Sequence, residues 1–506
     1  MQRISSAILT SHPLYSVATT RGIEQQAAAA LPPHALMQRA GLATAKLTLA
    51  LAPHAQCIWI ACGPGNNGGD GFEAALHLHR WGKKVVLTWT GPSPGKTGLP
   101  PDAQASFDRV MAAGVPIADQ PPAGFDFCLD ALLGIGAAPD FKRAGSEKIV
   151  RWLDAMQARG VPRLCIDIPT GLDAGTGYLA GGAPAGSGKI FTLSLLTLKP
   201  GLFTAHGRDC AGEVWFDDLG VEATQPADAW LLGGNRVTPS SRALAAHASH
   251  KGIFGDVAVM GGESTDSSHM AGAALLAARA ALHGGAGRVY VALLGKSAMT
   301  VDPVQPELMF RNPDALNLKS QVVVCGCGGG DAVRAVLPRV LSTAPRLVLD
   351  ADALNAIADD GQLQALLRAR NGRGYATVLT PHPLEAARLL GTTAAQVQAD
   401  RLKAAGQLAD TCLAVVVLKG SGTVIAAPGE TPCINPTGNA LLATAGTGDV
   451  LAGMLGAQLA ASPFEAQGGF KAASSAVFAH GRLADDWLAR RAGQNLTASG
   501  LFSAMD

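Results

Sequence analysis

The chain has 506 residues, 48% of them hydrophobic and only 16% charged, with a formal net charge of +1. Such a composition excludes a disordered polymer and provides for large buried cores, and the length predicts two to four domains. Because basic and acidic residues are interspersed, no broad footprint for nucleic acid or an anionic membrane is expected, and a small-molecule partner is the default.

The opening MQRISSAILTSHPLYSVATTR has no uninterrupted apolar core of signal-peptide length. No stretch of membrane-spanning length escapes polar interruption either, so a cytoplasmic protein without a membrane partner is expected. Nine cysteines, mostly inside apolar runs, fit free thiols in a reducing compartment. Cys325 and Cys327 form a CxC without a second pair, which predicts strand packing and not zinc.

Taken along the chain, the predicted strands of the first half are CIWIAC, KVVLTW, FDFCLDALLG, RLCIDI and KIFTLSLL. DVAVMGG, RVYVALLG, QVVVCG, RLVLDAD, ATVLT and AVVVLKG follow in the second. Helical stretches such as SEKIVRWLDAMQARG and MAGAALLAARAALHGG lie between them. Continuous Val/Ile-rich runs alternating with helices signal parallel sheets covered on both faces, so both halves are expected to be α/β. A weak stretch, VEATQPADAWLLGGNRVTPSSRALAAHAS, separates them; the expected domains are residues 1–225 and 226–506.

In the first half GPGNNGGDG, residues 63 to 71, follows CIWIAC and precedes the helix-spaced FEAALHLHRWG. Strand, glycine loop and helix in that order make an open α/β nucleotide site, although the string is not GxGxxG and a glycine turn with Asx caps is the bland alternative. Asn66, Asn67 and Asp70 add amides and a carboxylate. Asp130 in DALLGIG and Asp167, Thr170 and Asp173 in IDIPTGLDAGTG lie at further strand ends. Hard oxygen donors without Cys or His suit an alkali or alkaline-earth ion.

Those motifs, with YSVATTRGIEQQAAA and PHALMQRAGLATA upstream, resemble the epimerase domain of NAD(P)H-hydrate repair enzymes over residues 14 to 220. The resemblance implies a hydrated dinucleotide held by Asn66, Asn67, Gly68, Gly69 and Asp70 and by Gly134, Ile135 and Gly136. It also implies potassium among Asn67, Asp130 and Thr170, and Asp167 as the acid that contacts substrate. Whether Asp167 works as acid or base stays open.

In the second half LKGSGTVI joins a strand to a turn where Lys419 and the N–H groups of Gly420, Ser421, Gly422 and Thr423 can meet phosphates. GTGDVLAG, residues 446 to 453, follows as a second glycine loop before an apolar helix. Together they indicate phosphoryl transfer. Asp449 in that loop is either a helix cap or a base acting beside the phosphate. His382, between two prolines, is a hydrogen-bonded loop residue or a site residue, and Asp350 and Asp352 are helix caps or metal-orienting acids.

HKGIFGDVAVMGG, SSHMAGAALLAARAALHGGAGRVYVA, LDADALN, TPHPLE, LKGSGTVI and GTGDVLAG come in the order of the ribokinase-like dehydratase domain of the same repair enzymes, which they resemble. The resemblance implies nucleotide contacts at Lys419, Gly420 to Thr423 and Gly448, and substrate contacts at Ala273, Gly328, His382 and Asp449. Asp449 is then the general base, and Mg2+ and ADP serve the second domain. GCGGG at 326 to 330 replaces the usual GPGLG, and Leu384 stands where glycine is usual. The implied architecture is a Rossmann-like three-layer domain followed by a ribokinase-like one in a homo-oligomeric enzyme acting on hydrated NADH or NADPH. The rival readings are a small-molecule kinase of the ribokinase superfamily and a non-enzymatic nucleotide- or RNA-binding module, the latter disfavoured by the absence of a basic stripe.

Overall fold

Alternation along the strand Ile58–Cys62 sets the plan of the first half, since Ile58, Ile60 and Cys62 join one buried cluster while Trp59 and Ala61 join another. Both faces of this strand are covered, as its unbroken apolar sequence requires. The computed structural model describes residues 1–5, 10–91, 98–136, 146–158, 160–180, 188–237, 246–297, 299–462 and 468–505. It divides into two compact units, Met1–Ser5 with Pro13–Ala229, and Trp230–Asp506 with the segment ending at His12. The later part of the predicted linker, 238–245, lies outside the described residues.

The first unit holds an eight-stranded sheet in the order Gln2–Ile4, Glu213–Asp217, Ile190–Leu195, Arg163–Ile166, Phe127–Ala131, Ile58–Cys62, Val85–Trp89, Ile117–Ala118. Only the pairing of Gln2–Ile4 with Glu213–Asp217 is antiparallel. From Ile58–Cys62 the chain builds outward to Ile117–Ala118, then returns at Phe127–Ala131 to build the other way. The order therefore reverses between Ile58–Cys62 and Phe127–Ala131, the place where open α/β sheets bind ligands.

The second unit is built on an eleven-stranded sheet whose parallel centre runs Arg288–Gly295, Asp256–Ser264, Val322–Cys325, Arg346–Leu349, Ala376–Leu379, Val415–Leu418. Val424–Ala426 and Cys433–Ile434 extend it antiparallel. The helices Ala271–His283, Thr447–Ala461 and Gly468–Arg490 bury alanine-rich faces in its core. Small side chains let these helices come close: a Cβ on Gly453 would stand 2.0 Å from the Ala277 carbonyl oxygen.

All eleven strands expected from apolar runs are present. The expected glycine loop at 63 to 71 differs, because the helix Asn66–Arg80 begins inside it. Its glycines serve helix packing: a Cβ on Gly68 would stand 2.1 Å from the Gly63 carbonyl oxygen, and one on Gly71 would meet Ala131 at 2.6 Å. Only residues 63 to 65 remain as loop.

Ser11 closes the second unit against Asn235. Its N–H and hydroxyl donate to Asn235 Oδ1 at 2.8 and 2.9 Å, and its oxygen accepts the buried Gly233 N–H at 2.9 Å. Ser11→Ala strands that N–H, and an unsatisfied buried donor costs about 1–3 kcal/mol. Urea unfolding of the full chain should show a loss of that size in the transition of the second unit, and no change would remove Ser11 from the stability of this edge.

Candidate functional site

Three strand ends of the first unit bring the oxygen-bearing residues together. Asn67 lies in the first turn of Asn66–Arg80, buried, and neither its amide oxygen nor its nitrogen has a hydrogen-bond partner. Asp130 ends the adjacent strand and is bound by Thr170, whose N–H and hydroxyl donate to its Oδ2 and Oδ1 at 3.1 and 2.7 Å. Thr170 Oγ1 in turn accepts the Leu133 N–H at 3.0 Å. A Cβ on Gly134 would stand 3.2 Å from Asn67 Cβ, so Gly134 keeps the two loops in contact.

Beside them opens a cavity of about 690 Å³ lined by Asn66, Asn67, Asp70, Gly134, Ile135, Gly136 and Asp167. Gly68 and Gly69 are absent from its lining, since both are packed into the helix interface. Asp173 is used elsewhere, because its Oδ1 accepts the Gly175 and Thr176 N–H groups at 3.0 and 2.8 Å and so fixes its own turn. Asp130 and Thr170 are therefore brought together and Asp167 lines the cavity, whereas Asp173 serves its own turn.

Asp167 has φ +65°, a left-handed conformation that non-glycine residues hold only where the surroundings impose it. Here Leu195 N–H donates to its Oδ1 at 3.1 Å, and Lys199 Nζ forms an ion pair with the same oxygen. Lys199 is fully buried and also donates to the Leu195 carbonyl at 2.7 Å. Sequence reading passed over it, although a lysine in the apolar run SLLTLKPG was the available signal. Glu24 and Arg21, also unforeseen, line the same cavity, and Arg21 donates to the Gly136 carbonyl at 3.0 Å. Burial, then the Asp167 and Glu24 charges, push the Asp70 carboxyl well above the usual range; burial and Asp167 raise Glu24 as well. The cavity thus combines raised-pKa acids with the Lys199–Asp167 ion pair.

In the second unit Lys419 ends the strand Val415–Leu418 and points at Asp350, with Nζ 2.8 Å from Oδ1; Glu385 is 4.0 Å away. Burial opposes the charged ammonium, but Asp350 and Glu385 outweigh it and hold its pKa up. Thr380 donates to the same Asp350 oxygen at 2.7 Å. A Cβ on Gly448 would stand 3.4 Å from Lys419 Nζ, so the two glycine loops meet at this lysine. Gly420 and Gly422 take φ +137° and +63° in the turn between antiparallel strands. The buried Arg401, also unforeseen, donates to the Leu418 and Lys419 carbonyls at 3.0 and 3.2 Å and fixes that turn from behind.

Asp449 lies in the first turn of Thr447–Ala461, whose cap position is Gly446, with no side-chain cap. Burial and then the charge of Asp350 raise its pKa to about 7. The capping alternatives also fail for Asp350 and Asp352. The helix Asp352–Ala358 has no side-chain cap, Asp350 binds Lys419 and Thr380, and Asp352 Oδ2 accepts the Gly330 N–H at 2.9 Å. His382, by contrast, is a cap: its Nδ1 accepts Leu384 and Glu385 N–H at 3.1 and 3.2 Å in a capping box with Glu385. Ala273 and Gly328 are neighbours, a Cβ on Gly328 standing 2.9 Å from Ala273 Cβ. Cys325 is strand packing as expected, but Cys327 belongs to the site. Its Sγ, an Asp350 oxygen and an Asp449 oxygen all lie within 4.8 Å of one another.

The family model described as NAD(P)H-hydrate dehydratase matches residues 257–505, and that of the YjeF-related protein N-terminus matches residues 33–201. Over 490 residues the chain is 34% identical to the bifunctional NAD(P)H-hydrate repair enzyme Nnr of Escherichia coli (strain K12), covering 93% of this chain and 88% of that protein. The chain belongs to this family of bifunctional NAD(P)H-hydrate repair enzymes. The enzyme of the same name from Coxiella burnetii is 34% identical over 505 residues, covering 97% of this chain and 98% of the other. Among solved structures, the ADP/ATP-dependent NAD(P)H-hydrate dehydratase from Bacillus subtilis, co-crystallized with ATP/Mg2+, is 29% identical with a TM-score of 0.44, covering 53% of this chain and 93% of that one. Both halves are α/β as expected, and the dehydratase model follows the amino-terminal one along the chain. Membership sets aside the small-molecule kinase and the non-enzymatic binding module. Among the described residues, no helix is long and apolar enough to cross a membrane.

His480, on Gly468–Arg490, is buried, and its Nε2 has no hydrogen-bond partner; burial lowers its pKa to about 4. The folded group stays neutral while an unfolded one, near 6.5, takes up a proton, so stability is lost as pH falls from 6.5 toward 4. Linkage over that interval amounts to about 2–3 kcal/mol. Urea unfolding at pH 7.5 and 4.5 should show a decline smaller by that amount in His480→Gln than in the parent, and equal declines would mean that His480 titrates normally.

Proposed function

We propose that the first unit, residues 1–225 in the division expected from sequence, interconverts the R and S epimers of hydrated NADH and NADPH. The second, residues 226–506, then dehydrates the S epimer, consuming ADP and yielding AMP and phosphate. The observation that carries the reading is Asp449, a half-buried carboxyl with its pKa raised to about 7 at the point where the two glycine loops meet Lys419. A base poised near neutral pH accepts a proton well while a substantial share of it stays in the accepting form.

Lys419 and the N–H groups of 420 to 423, with Gly448, hold the phosphates, while Asp449 takes the proton from the hydroxyl on the hydrated ring. The oxygen so freed accepts the terminal phosphoryl group of ADP. Phosphate leaves far more readily than hydroxide: the ring nitrogen lone pair expels it, and loss of a proton from the neighbouring carbon restores the double bond. Substrate contacts are assigned to Ala273, Gly328 and Asp449. His382 acts there through the turn it caps, its Nε2 lying 3.2 Å from Glu385 Oε1. Mg2+, when bound, would be held mainly by the phosphates and would neutralise their charge. The fusion of two domains in one chain favours ADP over ATP.

In the first unit the hydrated nicotinamide is assigned to the cavity holding Asn66, Asp70, Ile135 and Asp167, with Lys199 holding Asp167 in place. Potassium fits Asn67, Asp130 and Thr170, because the buried Asn67 amide oxygen has no partner and the other two present oxygens at adjacent strand ends. There it would order the loops that meet the ligand. A cytoplasmic location and a homo-oligomer complete the proposal, the free buried cysteines supporting the first.

Replacing potassium by lithium should slow epimerisation, since the smaller ion fits a different cavity; identical rates in both salts after exhaustive dialysis would reject the site. Asp449→Asn keeps size and loop shape but removes the base, at a cost of about 10²- to 10⁴-fold in dehydration rate. ADP binding by calorimetry should survive in that variant. Near-normal recovery of dihydronicotinamide absorbance would rule out Asp449 as base, and lost ADP binding would mean that it shapes the loop instead.

A further inference from the structure

We propose that Cys327, Asp350 and Asp449 form a binding site for a thiophilic divalent cation of the Zn2+ type, and that filling it inhibits dehydration. The inhibition rests on the functional reading above, whereas the binding does not.

The ligand atoms are already gathered. Cys327 Sγ lies 3.8 Å from Asp350 Oδ2, and the three donor atoms lie within 4.8 Å of one another. Zinc bonds of about 2.3 Å to sulfur and 2.0–2.2 Å to oxygen put tetrahedral ligands roughly 3.3–3.8 Å apart. The Cys327–Asp350 edge therefore has its final length, and the half-buried Asp449 is the group that closes in. Among the described residues, no other set of three Cys, His, Asp or Glu side chains converges in this way.

The two carboxylate oxygens of Asp350 are divided between tasks. Lys419 and Thr380 both take Oδ1, leaving Oδ2 turned to the thiol. A cation bound through Oδ2 need not displace the lysine. Charge points the same way, because Asp350 and Asp449 lie close together and Lys419 forms an ion pair with the first alone. That excess negative charge is one of the causes that lift the Asp449 carboxyl.

The thiol is held in place. Gly326 and Gly328 on either side take φ +121° and +58°, and the Gly326 N–H donates to the Met260 carbonyl at 3.0 Å. Burial with Asp350 and Asp449 alongside keeps the thiol protonated, so it does not oxidise readily and remains available. On binding, the S–H proton leaves for solvent as the sulfur–metal bond forms, and any proton on Asp449 leaves with it. Sulfur selects against Mg2+, which prefers oxygen and an octahedral shell. Once coordinated, Asp449 is a weaker base, because the cation draws electron density from its carboxylate.

The test uses the full chain, stripped by chelator and desalted, without nucleotide. Titration with Co2+ should give a sulfur-to-cobalt charge-transfer band and tetrahedral visible bands saturating at one equivalent, discharged by Zn2+. Both should be missing in Cys327→Ala and in Cys327→Ser, whose folding is checked by circular dichroism; two variants guard against one failing to fold. No band, or the same band in the variants, overturns the site. In the activity arm, Zn2+ added with excess ADP and Mg2+ should slow dehydration, and each variant, compared with its own metal-free rate, should be less sensitive by about 10-fold or more. Equal sensitivity overturns the inhibitory link. If the parent never restores dihydronicotinamide absorbance under any condition, the repair reading falls while the cobalt titration still judges the site.

Discussion

The second unit depends on one buried ion pair, Lys419 with Asp350. The lysine ends one strand and the aspartate another, and the 2.8 Å contact ties together loops that start far apart in the sequence. Such a pair contributes little net stability against an apolar replacement, yet removing one partner strands a charge and costs several kcal/mol. Its value here is positional. Lys419 is the ammonium that Gly448 approaches, and Asp350 supplies the charge that raises Asp449. One contact thus fixes the ammonium beside the glycine loop and adds to the burial that raises the Asp449 carboxyl.

The first unit uses the same device in another setting. Lys199, fully buried, is compensated by Asp167 and by the Leu195 carbonyl. Asp167 is in turn held at φ +65°, where the backbone alone would not keep it. With one partner at the end of the following strand and the other in the segment just beyond it, Asp167 is held at the cavity wall. Around this pair, Asp70 and Glu24 are pushed toward their neutral forms, which makes them hydrogen-bond donors as well as acceptors. A site that must handle a hydroxyl on either face of a ring needs groups of that kind.

What was legible from sequence follows from which interactions are local. Unbroken Val/Ile runs identify buried parallel strands because both faces must be apolar, and every run so read is a strand. Glycine loops mark strand ends for the same local reason. What escaped were long-range polar partners: Lys199, Arg21, Glu24 and Arg401 are ordinary residues until the fold sets each against a particular oxygen or cavity. Two-residue strands such as Met309–Phe310 and Cys433–Ile434 escaped too, since two residues carry no period. The loop at 63 to 71 was misjudged because glycine signals both an open turn and a close helix approach, and only the neighbours at Gly68 and Gly71 decide.

Cys327 shows how the same ambiguity reaches chemistry. Within the apolar run VVVCGCGGG its thiol reads as one more small hydrophobe, as Cys325 indeed is. Register separates the two. Cys325 is the last residue of its strand, whereas Cys327 lies past the strand end, where parallel sheets place their functional groups. Two residues of offset turn a packing cysteine into a neighbour of Asp350 and Asp449. The position of a residue relative to its strand's carboxyl end, more than its type, therefore separates scaffold from site in both units: Asp130, Asp167, Asp350 and Lys419 all stand at or just beyond such an end.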